Sequence, residues 1–183
     1  MKPLKSIAIM LAAMVCSSIA FGQTPDAKPA PIEPIPADVA SMDSIIKATY
    51  DVISGPIGQK RNWDRMRSLF VPDAKMGAAV RTRKGDIRYF GFTVDGYAKM
   101  NGQFLVDKGF FETELSRHVD TYGNMSQVFS TYASRWKKDD PKPFERGVNS
   151  FQLMNDGKRW WIVSIYWQGE DDKNPLPSKW LKR

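Results

Sequence analysis

The chain has 183 residues, and only one of them is a cysteine and one a histidine. The cysteine, Cys16, sits in an N-terminal segment that reads as removable, so the remaining chain has no thiol. That excludes disulfide bracing and thiol nucleophiles, and with His118 alone it excludes a zinc site of the usual kind. No apolar run reaches the roughly 20 residues of a spanning helix. There is no internal repeat, no glycine-rich phosphate loop and no nucleophile elbow, so no cofactor or metal is expected. The formal charge of +7 is dispersed along the chain. The short basic groups Arg81-Thr82-Arg83-Lys84 and 179–183 have no aromatic platform beside them, so no nucleic-acid partner is expected.

What is present begins with a secretory pattern over 1–22. Lys2 and Lys5 give the positive start, Ile7 to Val15 the apolar core, and Ala20-Phe21-Gly22 a small-x-small cleavage site. The residue before Cys16 is Val15, not a small one, so plain cleavage is expected instead of lipidation, and the protein is expected to be periplasmic or secreted. Removing this segment takes away two lysines and no acid, and +7 falls to +5. Residues 23–36 carry Pro25, Pro29, Pro31, Pro34 and Pro36 and read as an extended linker. A domain over 37–170 follows, then a tail over 171–183 containing Pro175-Leu176-Pro177 and Trp180.

Inside the domain, Met42, Ile45, Ile46, Thr49 and Ile53 recur at helical spacing, and Gly55-Pro56 ends the pattern. Asn62 caps a short helix that buries Trp63, Met66, Leu69 and Phe70. Strands are expected at 75–80 and 87–92, with a break at Pro72-Asp73. A third helix runs from the cap Thr93 to Gly109. Two long strands, 110–121 and 126–136, meet at Gly123-Asn124, and this register pairs Glu112 with Arg135 and His118 with Phe129. The last hairpin turns at Asp156-Gly157, where a two-residue turn requires positive φ. Its register sets Asn149 opposite Ser164, Phe151 opposite Ile162 and Leu153 opposite Trp160. Helices followed by strands give an α+β domain.

The stretch Asn62 to Phe70, the strand Val128 to Tyr132, and above all Gly147 to Leu153 with Asp156 to Ile162 resemble the nuclear-transport-factor-2-like superfamily. Within it they are similar to the secreted bacterial SnoaL-like proteins. The resemblance implies a cone-shaped, curved antiparallel sheet wrapped around N-terminal helices, the cystatin-like or nuclear-transport-factor-2-like fold, with a pocket inside. It also implies a homodimer through the exposed sheet face. Its members include ketosteroid isomerase, epoxide hydrolases, cyclases and non-enzymatic binders, so the fold alone fixes no reaction. An isomerase-like site needs a carboxylate in an apolar cavity. The register above puts no Asp or Glu on the cone-facing positions of the last four strands, a departure from that chemistry.

The pocket candidates in this register are Arg117, Ser130, Tyr132, Asn149, Ser164, Tyr166 and Trp160. Arg117 shares a face with Leu115, Val119 and Tyr132. It either waits for an anion or, as the rarity of unpaired buried charge favours, pairs with a helix carboxylate. Asn149 with Ser164 and Tyr166 either orients a ligand carbonyl or ties the hairpin. His118, on the face of Glu112 and Glu114, reads as a surface residue. Two functions follow. The first is an exported domain whose pocket binds, with or without transformation, a small apolar molecule. The second is a non-catalytic module that dimerises or binds a partner through its sheet face. No residue singles itself out as catalytic.

Overall fold

The computed structural model describes residues 32–182. The expected signal segment and most of the linker lie outside these described residues. Helix α1 (Pro36–Val39) leads into α2 (Met42–Ile53), whose start is fixed by a reciprocal capping box between Ser41 and Ser44. Helix α3 (Trp63–Leu69) begins where the Asn62 side chain accepts from the Arg65 amide. Helix α4 (Val94–Lys108) begins at Thr93 and ends at Gly109, whose φ of 69° only glycine adopts cheaply. Among the described residues no helix is long and apolar enough to cross a membrane.

The six strands are β1 (Phe70–Arg81), β2 (Ile87–Phe92), β3 (Phe111–Tyr122), β4 (Met125–Arg135), β5 (Glu145–Asn155) and β6 (Trp160–Gly169). They form one curved sheet in the order β2-β1-β6-β5-β4-β3. All neighbours are antiparallel except β1 and β6, which run parallel, so the sheet is mixed and not purely antiparallel. β1 is longer than expected. Pro72 lies in it at an irregularity between Phe70 and Lys75, where a missing amide donor is tolerated.

One face of the sheet closes over the helices. Ile45, Ile46, Val52 and Ile53 of α2 and Met66 and Leu69 of α3 pack with Val128, Phe151, Leu153 and Ile162. Fully burying side chains of this kind stabilises by about 1.5–3 kcal/mol each, which is why α2 is held against the sheet despite its length of only 12 residues. Arg61 is buried yet has no carboxylate partner among the described residues. It donates to the carbonyls of Ile53 (2.8 Å), Gly55 (2.8 Å) and Leu105 (3.1 Å), so it ties the end of α2 to α4. Burial pulls its pKa down from the usual guanidinium value.

The tail returns across the outer face of the sheet. Glu170 pairs bidentately with Arg146 and Asp171 with Arg81. A short 3₁₀ turn (Ser178–Trp180) then sets the Trp180 ring against His118 and Phe129, at 5.1 and 5.2 Å between centroids. The Trp180 carbonyl accepts from Thr131 (2.6 Å) and from Ser116. His118 is therefore an outer-face residue, hydrogen-bonded to the Lys179 carbonyl.

Candidate functional site

Two bulges decide what faces the inside. In β3 the expected register holds from Ser116 to Tyr122, but it shifts by one residue between Glu114 and Ser116. Leu115 is the extra residue, and one extra residue exchanges the faces of everything before it. Glu112 therefore pairs with Ser134, and Arg135 with Phe111, so the expected Glu112–Arg135 pair does not form. Arg135 donates instead to the Asp140 carbonyl and Thr113. The expectation that no acidic residue faces the cone is overturned: Glu112 and Glu114 both turn inward.

The terminal hairpin is corrected in the same way. Its loop is four residues, 156–159. Asp156 accepts from the amides of Lys158 and Arg159, and Asn155 accepts from Gly157. Leu153 then pairs with Ile162 and Gln152 with Ser164, so Val163 is an extra residue of β6 that sets Asn149 opposite Trp167 and Ser150 opposite Tyr166. Asn149 is buried and points inward, whereas Tyr166 lies on the outer face, tilted against Tyr89 at 5.9 Å. The expected spot of Asn149, Ser164 and Tyr166 does not exist.

The inward face, α2 and α4 enclose a cavity of about 440 Å³, within the 300–1,000 Å³ range of ligand sites. Tyr132 and Asn149 line it, and Ser130 lies directly behind it. Arg117, Ser164, Tyr166 and Trp160 do not line it. Trp160 packs on the core, and Arg117 is occupied: it grips Glu114 bidentately at 2.9 and 2.6 Å and reaches Asp43 of α2. That is an ion pair with a helix carboxylate and no vacancy for an anion.

Glu112 is the chemical centre. Its Oε2 accepts from Ser134 Oγ at 2.7 Å, and its Oε1 faces Asn149 Nδ2 at 3.5 Å. No lysine, arginine or histidine lines the cavity among the described residues. Burial without a cation pushes the carboxyl up to about 7. The two hydrogen bonds pull the other way, and the charge of Glu145 adds to the rise.

The neighbouring protons are already committed. Ser130 donates to Glu114 Oε1 (2.6 Å), which Arg117 holds, so the 2.6 Å bond between Ser130 and Tyr50 must be donated by the phenol. Asn149 in turn donates to the Tyr50 oxygen at 3.0 Å. This chain fixes the Asn149 amide with its nitrogen toward Glu112. Tyr132 donates to Glu145 Oε1 at 2.6 Å. A Cβ at Gly147 would lie 2.6 Å from the Tyr132 oxygen, so that phenol reaches its place only over a glycine. Burial raises the pKa of Tyr50, Tyr97 and Tyr132, and nearby carboxylates raise them further, so all three phenols stay protonated at neutral pH.

The mouth is apolar and exposed. Val80, Phe90, Met100, Phe104, Trp136 and Phe144 all line the cavity and all keep more than a third of their surface open to solvent. Trp136 and Phe144 stack at 3.9 Å, with Phe104 edge-on to Trp136. Glu112, Glu145, Tyr50, Tyr97, Val80, Phe90, Met100 and Phe144 were not among the expected site residues. The signal that could have raised Glu112 is the paired acids in Phe111-Glu-Thr-Glu-Leu115, but only the bulge makes them face inward.

No family model and no curated protein sequence matches the chain. Solved structures do. A Nostoc punctiforme protein of unknown function with a cystatin-like fold superposes with a TM-score of 0.54 at 7% identity, over 73% of this chain and 91% of that one. A protein of the nuclear-transport-factor-2-like family from Streptomyces avermitilis gives 0.52 at 13% identity, over 73% and 96%. The chain has the nuclear-transport-factor-2-like fold.

Proposed function

We propose that the cavity binds a small, largely apolar molecule and that Glu112 exchanges a proton with it. The observation that carries this reading is a carboxyl poised at about 7 on the wall of an aromatic cavity. A general acid–base group works best when its pKa lies near the working pH, because both protonation states are then at hand. Ionised Glu112 removes a proton from a bound molecule and, once protonated, returns it at a second position, leaving the enzyme unchanged. Asn149 and Ser134 hold the carboxyl in place through both states. Tyr50 and Tyr132 have their protons committed elsewhere and serve to position Glu112 and Glu145.

The apolar rim supports entry from solvent, since exposed aromatic side chains gathered at one opening mark a binding mouth. Native mass spectrometry of protein purified from its own host, followed by incubation of the released compound in deuterated buffer, tests the reading. Deuterium incorporated with the wild type and not with Glu112→Gln is the expected result. A cavity that carries no small molecule, or exchange that persists in the variant, rejects it.

The same proposal places the protein outside the cytoplasm as a SnoaL-like domain cleaved after Gly22, on the pattern of residues 1–22. The mass of the mature chain checks this, and an intact Met1 rejects it. A second reading, a homodimer through the outer sheet face, is favoured by Tyr89 and Tyr166, which are 62% and 45% exposed there. Light scattering at micromolar concentration decides it.

A further inference from the structure

The whole chain is basic, at +7. Its cavity is not: among the described lining residues the charged ones are Glu112 and Glu145. Glu112 comes from β3 and Glu145 from the start of β5, so two distant parts of the chain contribute carboxylates to the same cavity. Much of the remaining lining is aromatic, including Tyr97, Phe104, Trp136, Phe144 and Trp167. Carboxylates set among π-faces make the arrangement that recognises a weakly hydrated cation: the faces attract it electrostatically, and a carboxylate neutralises it. The same arrangement repels an anion, and it leaves a neutral ligand with no partner for the carboxylate charge.

We infer that the cavity selects an apolar molecule bearing an ammonium group, an aromatic or aliphatic amine or its quaternary form, with the cation seated toward Glu112 and Glu145. This rests on the reading of the cavity as a ligand site and names the class of ligand. The groups facing Glu112 from each packed element agree with it. They are Tyr50 from α2, Tyr97 from α4, Ser134 and Tyr132 from β4, and Asn149 and Glu145 from β5. None is cationic. Arg117, a nearby guanidinium on β3, is consumed by Glu114 and Asp43. A bound ammonium would supply the charge that burial denies Glu112, so ionising Glu112 and binding the cation must favour each other.

The test compares three probes of similar size on the full chain: benzyltrimethylammonium, its neutral carbon isostere neopentylbenzene, and phenylacetate. Binding is read by tryptophan fluorescence and by thermal shift. The expected result at about pH 8 is that the cation binds about tenfold tighter than the neutral isostere and that phenylacetate does not bind. At about pH 5, where Glu112 is protonated, that preference shrinks, and Glu112→Gln removes most of it at either pH. Glu145→Gln, a variant away from the Ser134 and Asn149 contacts, reduces it as well. Equal or tighter binding of the neutral isostere at pH 8 overturns the inference and leaves the apolar-ligand reading standing. A cation preference unchanged in both variants also overturns it, because the attraction then comes from elsewhere. Failure of all three probes to bind overturns the ligand-site reading together with the inference.

Discussion

Glu112 and Glu114 are the same residue type, two positions apart on one strand and turned to the same side. Glu114 meets Arg117 at 2.6 Å and is sealed into an ion pair that Asp43 extends to the surface. Among the described residues Glu112 has only neutral donors, and it sits up at about 7. The strand, the burial and the side chain are shared; the guanidinium is not. Whether an inward carboxylate becomes structure or chemistry in this fold is set by whether a cation reaches it. Arg117 thus does its work for the site indirectly. By holding Glu114 in place as an acceptor it orders a donor chain from Asn149 through Tyr50 and Ser130 to Glu114, and so keeps the Asn149 amide nitrogen facing Glu112.

The contrast is broken most severely from the Glu114 side. Arg117→Leu leaves Glu114 inside without its cation. The pair is about a fifth exposed, so the loss should be somewhat below that of a fully buried pair, about 2–4 kcal/mol in chemical denaturation. A loss under about 0.5 kcal/mol would place Glu114 with the solvent-screened pairs.

Removing the other carboxylate has the opposite sign. Below about pH 4.5 Glu112 is neutral in both folded and unfolded chains and costs nothing. As pH rises toward 7 the unfolded chain ionises it first, the folded state holds the extra proton, and stability falls. Glu112→Gln should therefore match the wild type near pH 4 and exceed it by about 2–3 kcal/mol at pH 8, at 1.36 kcal/mol per pH unit with a discount for the open side of the cavity. Subtracting the two curves cancels every other titration. A flat difference would mean that Glu112 titrates normally.

A smaller effect sharpens the comparison. Asn149→Ala removes a donor 3.5 Å from Glu112, and the midpoint of the Glu112 titration should rise, by less than about one pH unit, because the contact is long. A fall in that midpoint would contradict the donor direction assigned to the amide. Smallest of all, His118→Ala lies across the sheet from the cavity. It should leave cavity binding unchanged and stability within about 0.5 kcal/mol, as surface substitutions do.

Much of the fold could be read in advance, because its signals are local. Asn62, Thr93 and Gly109 mark helix ends, helical spacing marks α2, and alternation marks the long strands. The site could not be read so far, because it depends on two single-residue insertions, at Leu115 and Val163, that leave no compositional trace. Each exchanges a whole set of side chains between faces. So Glu112 moved from the expected surface into the cavity, while Ser164 and Tyr166 left it. The four-residue loop at 156–159 had a local cause, Asn155 and Asp156 accepting the turn amides, but Asp156-Gly157 reads equally as a two-residue turn. The parallel pairing of β1 with β6 joins segments about 90 residues apart and has no short-range signal at all.

Glu112 exchanging its proton near neutrality is the property on which the proposed chemistry of the cavity rests. Carbon-13 labelling of the glutamate carboxyls, with Glu112 assigned by its loss in Glu112→Gln, measures it directly by NMR across a pH titration. The expected midpoint is about 7. A Glu112 midpoint at or below about 4.5, the ordinary range of a glutamate, would contradict it.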